Sequence, residues 1–368
     1  MRPVGSPPSV VLTMIVRNEA HVLARCVESV RPLIDAWCIV DTGSTDGTQA
    51  LISELLGDLP GELHEVPWRD FAYNRTRALE LARPLGDYSL MIDADVVAVL
   101  DDGIAAADAV RSLSADVYDV RFSDGLEYTR PQVSSTRLDF TYRGVLHEFL
   151  VVPEGAVRGG TLPGVRFATF RDGARSQNPT KYHDDAELLR AALQTHEDPE
   201  LEPRYMFYLA QSYRDAGLVD EAIDAYRRRS ELGGYLEEVY VSLSWVVRLL
   251  AGRDGCTPEV FDAALRAVDV VPQRAEASCH AATAARRADR MSTAYVFARH
   301  AASLPKPETG LFIEPDVYRW RSLYELSIAA YYVGAIGEGR DATERLLGME
   351  DLPSAERAAV EANRHFYA

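Results

Sequence analysis

Along the first quarter of the chain, short apolar runs alternate with stretches whose apolar residues recur every three or four positions. That pattern predicts βαβ units with helices on the faces of a sheet. Val10 to Val16 reads as a buried strand, and the helix that follows, from about Glu19, puts Val22, Leu23, Cys26, Val27 and Val30 on one face. Ala36 to Val40 is a second strand. It ends in Asp41-Thr42-Gly43-Ser44-Thr45-Asp46-Gly47-Thr48, turn and N-cap residues ahead of a helix through Leu51, Ile52, Leu55 and Leu56. A third strand near Glu62 to Val66 and a helix over about Tyr73 to Ala82 lead to the run Tyr88-Ser89-Leu90-Met91-Ile92. From Ala115 to Val152 the texture changes to alternation, in Val117 to Phe122 and in Phe149 to Val152, which predicts strands of a mixed sheet able to seat a second substrate. Asp172 to Asp185 is polar, with Gly173 and Pro179, and predicts a loop or linker that closes over a ligand.

Helical spacing dominates afterwards. Phe207 to Tyr226 has the spacing of a tetratricopeptide repeat, with Leu209, Ala210, Tyr213, Gly217, Ala222 and Tyr226 supplying the small and large residues by which paired helices fit. One repeat cannot bury both its faces, and Ala294 to Ala298 and Leu323 to Gly334 are degenerate neighbours for it. An unrelated helical bundle is the alternative. The expected fold class is α/β, a mostly parallel sheet domain over residues 1–185, followed by an all-α domain over residues 186–368.

With 368 residues and 47% hydrophobic content the chain can build two cores. A formal charge of −17 argues against a nucleic-acid or anionic-membrane surface, so an anionic ligand must be met by local cations. Cys26, Cys38, Cys256 and Cys279 show no Cys-x-x-Cys spacing, which disfavours a disulfide framework or a zinc site and fits reduced thiols in the cytoplasm. Met1 to Pro8 has no apolar signal region, and Val10 to Val16 is too short to span a bilayer, so the expectation is an unexported protein with no membrane span.

The chemistry starts from Asp93-Ala94-Asp95, at the end of an apolar run. Side chains alternate along an extended segment, so Asp93 and Asp95 face the same way and can turn toward one hard divalent cation, Mg²⁺ or Mn²⁺, bridging to a diphosphate.

Thr13-Met14-Ile15-Val16-Arg17-Asn18-Glu19, the Asp41 to Thr48 cluster and Asp93-Ala94-Asp95 occur in that order and resemble family 2 glycosyltransferases. The resemblance covers about the first 155 residues. It implies a GT-A fold, a nucleotide-diphosphate sugar donor, a divalent metal and inversion at the anomeric carbon. Tyr142-Arg143-Gly144-Val145-Leu146-His147-Glu148, with helical repeats behind it, is similar to the subgroup with tetratricopeptide-like C-terminal domains that includes bacterial peptide S-glycosyltransferases.

By this resemblance Thr13, Val16, Asn18 and Glu19 line the base and ribose pocket, Arg17 reaches phosphate and Asp41 meets the base. Asn74 would orient the acidic loop or the base. Arg75 and Arg77 point to different faces of their helix, so at most one contacts nucleotide, and Arg77 is favoured. Asp93 would bond the ribose or a metal-bound water, and Asp95 would bind the metal, with His147 as the further protein ligand. Glu148 is the candidate general base and Asp124 its rival; His147 and Glu148 share a site only if the chain turns between them. Arg121, Tyr128, Arg130, Arg137 and Tyr142 suit an acceptor groove, or phosphate in the case of Arg137, and Arg175 and Lys181 could fold over the diphosphate as part of a lid.

The leading expectation is therefore an inverting, metal-dependent glycosyltransferase acting on a peptide, sugar or small-molecule thiol, with a helical domain that recognises acceptor or partner and could pair subunits as a homodimer. The alternative is an interaction scaffold with a relic sugar-nucleotide domain. A nucleotidyltransferase should carry a Gly-rich basic phosphate loop, and a dinucleotide oxidoreductase a Gly-x-Gly-x-x-Gly turn; the chain has neither.

Overall fold

The computed structural model describes residues 7–101, 106–123, 127–196 and 198–367. It divides into two compact units, Met1–Asp184 and Asp185–Ala368.

In the first unit, β1 (Val10–Val16), β2 (Ala36–Asp41), β3 (Gly61–Glu65) and β4 (Tyr88–Met91) form a parallel half-sheet, with α1 (Ala20–Val30), α2 (Thr48–Leu56) and α3 (Phe71–Ala82) in the connections. β1 lies between β2 and β4 and is apolar but for Thr13, because both its faces are covered. Then come β5 (Val96–Leu100), α4 (Ala106–Arg111), β6 (Val117–Ser123), β7 (Glu127–Ser135), the hairpin β8 (Thr141–Arg143) and β9 (Phe149–Val151), and β10 (Arg158–Thr169). The main sheet has the order β3-β2-β1-β4-β7-β6-β10-β5. β7 runs antiparallel to β4 and β6, and β10 runs parallel to β6 and antiparallel to β5, so the second half is mixed, as the alternation predicts.

The segment expected to be a loop, Asp172 to Asp185, contains α5 (Ala174–Gln177) and the start of α6 (Lys181–Thr195). Its polarity reflects one-sided helical burial and side-chain turns rather than absence of structure: Asn178 Oδ1 accepts from the Thr180 amide at 3.0 Å, and Asn178 Nδ2 donates to Asp184 at 2.8 Å.

The second unit is a run of helical hairpins: α7 (Glu202–Asp215) with α8 (Val219–Glu231), α9 (Leu236–Arg253) with α10 (Pro258–Val270), α11 (Glu276–Arg287) with α12 (Met291–Ser303), and α13 (Ser322–Tyr332) with α14 (Ile336–Leu347), followed by α15 (Ser354–Asn363). Three of the four turns close alike. The amides of Leu218, Arg290 and Ala335 each donate to the carbonyl five residues back, at Tyr213, Ala285 and Ala330 (2.9 Å each), over a left-handed Gly217, Asp289 or Gly334. Ala210, Ala222, Ala294, Ala298 and Ala329 are fully buried, which lets these helices approach closely. Among the described residues no helix is long and apolar enough to cross a membrane.

Candidate active site

The C-terminal ends of β1, β2 and β4 bring three loops to one rim. Asn18 turns left-handed (φ 58°) beyond β1, donates its amide to Ser44 Oγ at 2.9 Å and accepts from the Thr45 amide at 2.8 Å, so it fastens the first loop to the second. Asp46 reinforces that link by accepting from the Ala20 amide at 3.1 Å while bonding Thr48. Arg17 is exposed on the same loop and Val16 is buried at its base. Asp41 closes β2 with 1% exposure; its Oδ1 accepts the amides of Gly43 (2.9 Å) and Ser44 (2.8 Å), folded back by Gly43 at φ 110°. Burial works to raise this carboxyl, but Ser44 and Gly43 outweigh it and hold it below the ordinary range. Its Oδ2 is buried and makes no aligned hydrogen bond among the described residues, although the Gln49 side chain lies close enough to join Ser44 and Gly43 in holding the carboxyl low.

Beyond β4 the chain bends through Asp93, the buried Ala94, and Asp95. Asp95 and Glu19 flank Gly173 so closely that a Cβ there would lie 3.2 Å from both Asp95 Cβ and Glu19 Oε2. Glu19 Oε2 also accepts the Ala174 amide at 3.2 Å. Burial, with Asp95 and Asp93 nearby, pushes the Glu19 carboxyl up to about 7 against the Ala174 bond. Burial and Asp93 likewise raise Asp95. The segment over these acids is docked: Arg25 binds the Asp172 carboxylate through two contacts (2.9 and 2.7 Å), and His21 and Gln177 hold its carbonyl at 2.8 Å. Arg175 lies over the Phe71 ring at 4.6 Å, and Lys181, in α6, lies 5.4 Å from the Tyr182 ring.

Asp93 shifts the other way. Burial opposes its ionisation, but Arg75, and secondarily Arg130, keep its carboxyl low. Arg75 is 7% exposed; its Nη2 sits 2.6 Å from Asp93 Oδ1 and its Nε 2.6 Å from Glu148 Oε1, the latter an ion pair without an aligned N–H. The Tyr142 ring lies 5.8 Å from the guanidinium, and burial pushes its hydroxyl up to about 12. An Asp93–Arg75–Glu148 bridge thus links the acidic loop to the turn between β8 and β9. Gly144 (φ 106°) and His147 (φ 52°) make that turn, leaving His147 exposed while the Glu148 side chain is buried. Among the described residues no three His, Cys, Asp or Glu side chains are gathered to hold a metal, so Asp95 and His147 do not form part of an assembled cage.

Strand register sorts the expected acceptor residues. Leu90 pairs with Val133 and Tyr88 with Ser135, so the start of β7 lies toward the acids and its end away from them. Tyr128, Arg130 and, across on β6, Arg121 therefore stand at the acid end. Tyr128 stacks on Phe122 at 5.1 Å, and Arg130 lies 5.6 Å over the same ring. Asp124 lies outside the described residues.

Four expectations are corrected. Arg137 is beyond the far end of β7, bonded to Asp116 at 3.0 Å and to Ser135, because an antiparallel strand carries its last residues away from the rim. Arg77 pairs with Glu80 at 2.8 Å on the exposed side of α3, and Arg75 takes the inner place. Thr13 has no exposure, and its hydroxyl is 2.5 Å from that of Ser89, so it joins β1 to β4 inside the sheet and lines nothing. Asn74, also fully buried, accepts from the Arg69 amide (3.0 Å) and donates to the Pro67 carbonyl (3.2 Å), fixing the entry to α3 rather than the acidic loop. The sequence held a signal for Arg75: it shares a helical face with Ala72, Ala78, Leu79 and Ala82, all buried, whereas Arg77 does not.

The family model for glycosyl transferase family 2 matches residues 11–155. A TPR repeat-containing protein of Synechococcus elongatus is 40% identical over 90 residues, 24% of this chain and 21% of that protein. The SPbeta prophage-derived glycosyltransferase SunS of Bacillus subtilis is 25% identical over 227 residues, 60% of this chain and 53% of that protein. The chain thus spans about a fifth and about half of the lengths of these two relatives. Among solved structures, S. aureus TarS in complex with UDP-GlcNAc gives a TM-score of 0.36 at 13% identity, over 71% of this chain and 91% of that one. A thermophilic TPR protein of Thermus thermophilus gives 0.32 at 17% identity, over 50% and 90%.

Proposed function

For a chain in which residues 11–155 form a glycosyl transferase family 2 domain and a tetratricopeptide-like helical array follows, we propose transfer of a sugar, with inversion, from a nucleotide-diphosphate sugar to a nucleophilic acceptor. The observation that carries this reading is the gathering of Asp41, Glu19, Asp93 and Asp95 on one rim, with Asp41 held ionised. Asp41 would accept an N–H of the base, and Asn18 and Glu19 would stand by the ribose, with Arg17 near phosphate. Arg130 brings positive charge to the same end as Asp93. Asp93, clamped by Arg75, is held ionised, so it accepts hydrogen bonds without moving.

The donor set fits a divalent metal. Asp95 is raised by burial and by Asp93, and Glu19 nearby is raised as well, an excess of negative charge that Mg²⁺ or Mn²⁺ held by Asp95 would relieve; Mg²⁺ characteristically takes one or two carboxylates and draws its other ligands from phosphate and water. When bound, the ion would offset charge developing on the departing diphosphate. Glu148 serves as base if it can leave Arg75, with Asp124 as the rival. A thiol acceptor needs little help from either. We take the acceptor to be a peptide, because helical repeat arrays present extended binding surfaces.

Calorimetric titration with UDP and with GDP, each with Mn²⁺ and then with EDTA, tests the reading. Binding of one nucleotide that EDTA weakens is the expected result. Binding of neither would overturn the reading in favour of an interaction scaffold.

A further inference from the structure

The helical unit holds a cavity of about 240 Å³, lined among others by Gln211, Arg214, Trp245, Arg248, Phe312 and Glu314. Drug-sized ligands take about 300–1,000 Å³, so this space suits one side chain or a chain end and not a nucleotide sugar.

Its charges are unbalanced in what they offer. The guanidiniums of Arg214, Arg248 and Arg274 line it with two carboxylates, Glu276 and Glu314. Both carboxylates are already saturated. Glu276 accepts from Arg274 twice (2.9 Å each), from the Tyr240 hydroxyl (3.1 Å) and from the Tyr318 hydroxyl (2.8 Å). Glu314 is shared by His280 (2.9 Å), Arg321 (3.1 Å) and Arg248 (3.3 Å). Donors remain. Among the described residues Gln211 Nε2 is buried without a hydrogen-bond partner, and the one carboxylate bonded to Arg248 is the shared Glu314, at 3.3 Å. Arg248 and Arg214, the latter held by Asp215, lie 4.0 and 4.2 Å from the Trp245 ring centre, so two cations share one indole. Burial, Arg321 and Arg214 all disfavour the charged form of Arg248, and Glu314 is the main opposing group.

We propose that this pocket binds a carboxylate of the acceptor peptide, from an Asp or Glu side chain or from the chain's C-terminus. Arg248 and Gln211 donate to its oxygens, and the aromatic wall receives the neighbouring apolar part. The inference rests on the peptide-acceptor reading above, yet its site lies wholly within the helical unit, so the two can fail separately.

The test uses the full chain and four fluorescein-labelled hexapeptides: Gly-Ser-Phe-Gly-Glu-Glu and Gly-Ser-Phe-Gly-Gln-Gln, each as free acid and as amide. Fluorescence anisotropy should show the doubly neutral peptide, the Gln amide, binding at least tenfold more weakly than the best acidic one. Retention by the Glu amide assigns a side-chain carboxylate, and retention by the Gln free acid assigns the C-terminus. Gln211→Met, which breaks no ion pair, and Arg248→Met should each weaken acidic binding at least tenfold while UDP or GDP titration of the same samples is unchanged. If Arg248→Met does not fold by circular dichroism, Gln211→Met decides. The proposal is overturned if no acidic peptide binds, if the Gln amide binds equally, or if Gln211→Met binds as the unaltered chain does.

Discussion

Replacing Arg75 with Met is the most informative single perturbation of the rim. The guanidinium lies between Asp93 and Glu148, and the methionine stem fills similar space without charge, so two carboxylates lose their partner together. Breaking a buried pair from one side costs roughly 3–5 kcal/mol. Here the lower end applies, about 3 kcal/mol, because the Asp93 side chain keeps 44% exposure and can rehydrate, while Glu148, at 8%, cannot. For a unit of this size each kcal/mol moves the midpoint by roughly 2–4 °C, so differential scanning calorimetry should show the transition of the first unit about 6–12 °C lower at pH 7. The pH dependence carries the electrostatic part. In the unaltered chain the Asp93 carboxyl sits below its ordinary value, so its contribution is present above that value and lost only in strong acid. In Arg75→Met the desolvation that opposes ionisation of Asp93 meets only the weaker pull of Arg130, so the carboxyl rises and stability returns as pH falls toward 5. The gap between the two proteins should therefore narrow from pH 7 to pH 5. A midpoint change under about 2 °C, or a gap independent of pH, would refute the bridge as described.

Arg77→Ala should leave the midpoint within about 1 °C and nucleotide binding unaltered by calorimetry, since its pair with Glu80 is exposed and worth at most about 0.5 kcal/mol. Asp41→Asn keeps the acceptor for the Gly43 and Ser44 amides but removes the charge, and should weaken UDP or GDP binding at least tenfold in the same assay; unchanged affinity would remove Asp41 from the donor site. Glu19 is raised from 4.5 to about 7, so its folded form is penalised as pH rises across that window. Glu19→Gln, melted in EDTA, should gain stability relative to the unaltered chain at pH 8 and little at pH 5; equal differences at both would contradict the crowding of acids.

The legible parts of this protein are those written in a period. β1 and the burial face of α1 follow from a run of apolar residues broken only by Thr13 and from three-four spacing, and the hairpin of α7 and α8 from small residues on either side of Gly217. That Asp41 closes a strand and Asp95 follows one was legible from the apolar runs that precede them. What stayed hidden depends on partners distant in sequence. Asn74 looks like a site residue until Pro67 and Arg69 bond it, and Thr13 until Ser89 does. Arg137 was misplaced because only the antiparallel register of β7 reveals which end of the sheet it reaches. The helices in the segment from Asp172, which the sequence reads as a loop or linker, stay hidden because its anchors, Arg25 and His21, lie about 150 positions earlier.

The repeated turns at Gly217, Asp289 and Gly334 imply something about how the second unit comes apart. Each hairpin leans chiefly on its sequence neighbours, so its stability accumulates by addition along the array, and opening starts at an end rather than everywhere together. Amide hydrogen exchange should then fall as a gradient, fastest in α14 and α15 and slowest around α9 and α11. The cavity beside Trp245, drawn mainly from those inner helices, would keep its shape while the last hairpin frays and reforms.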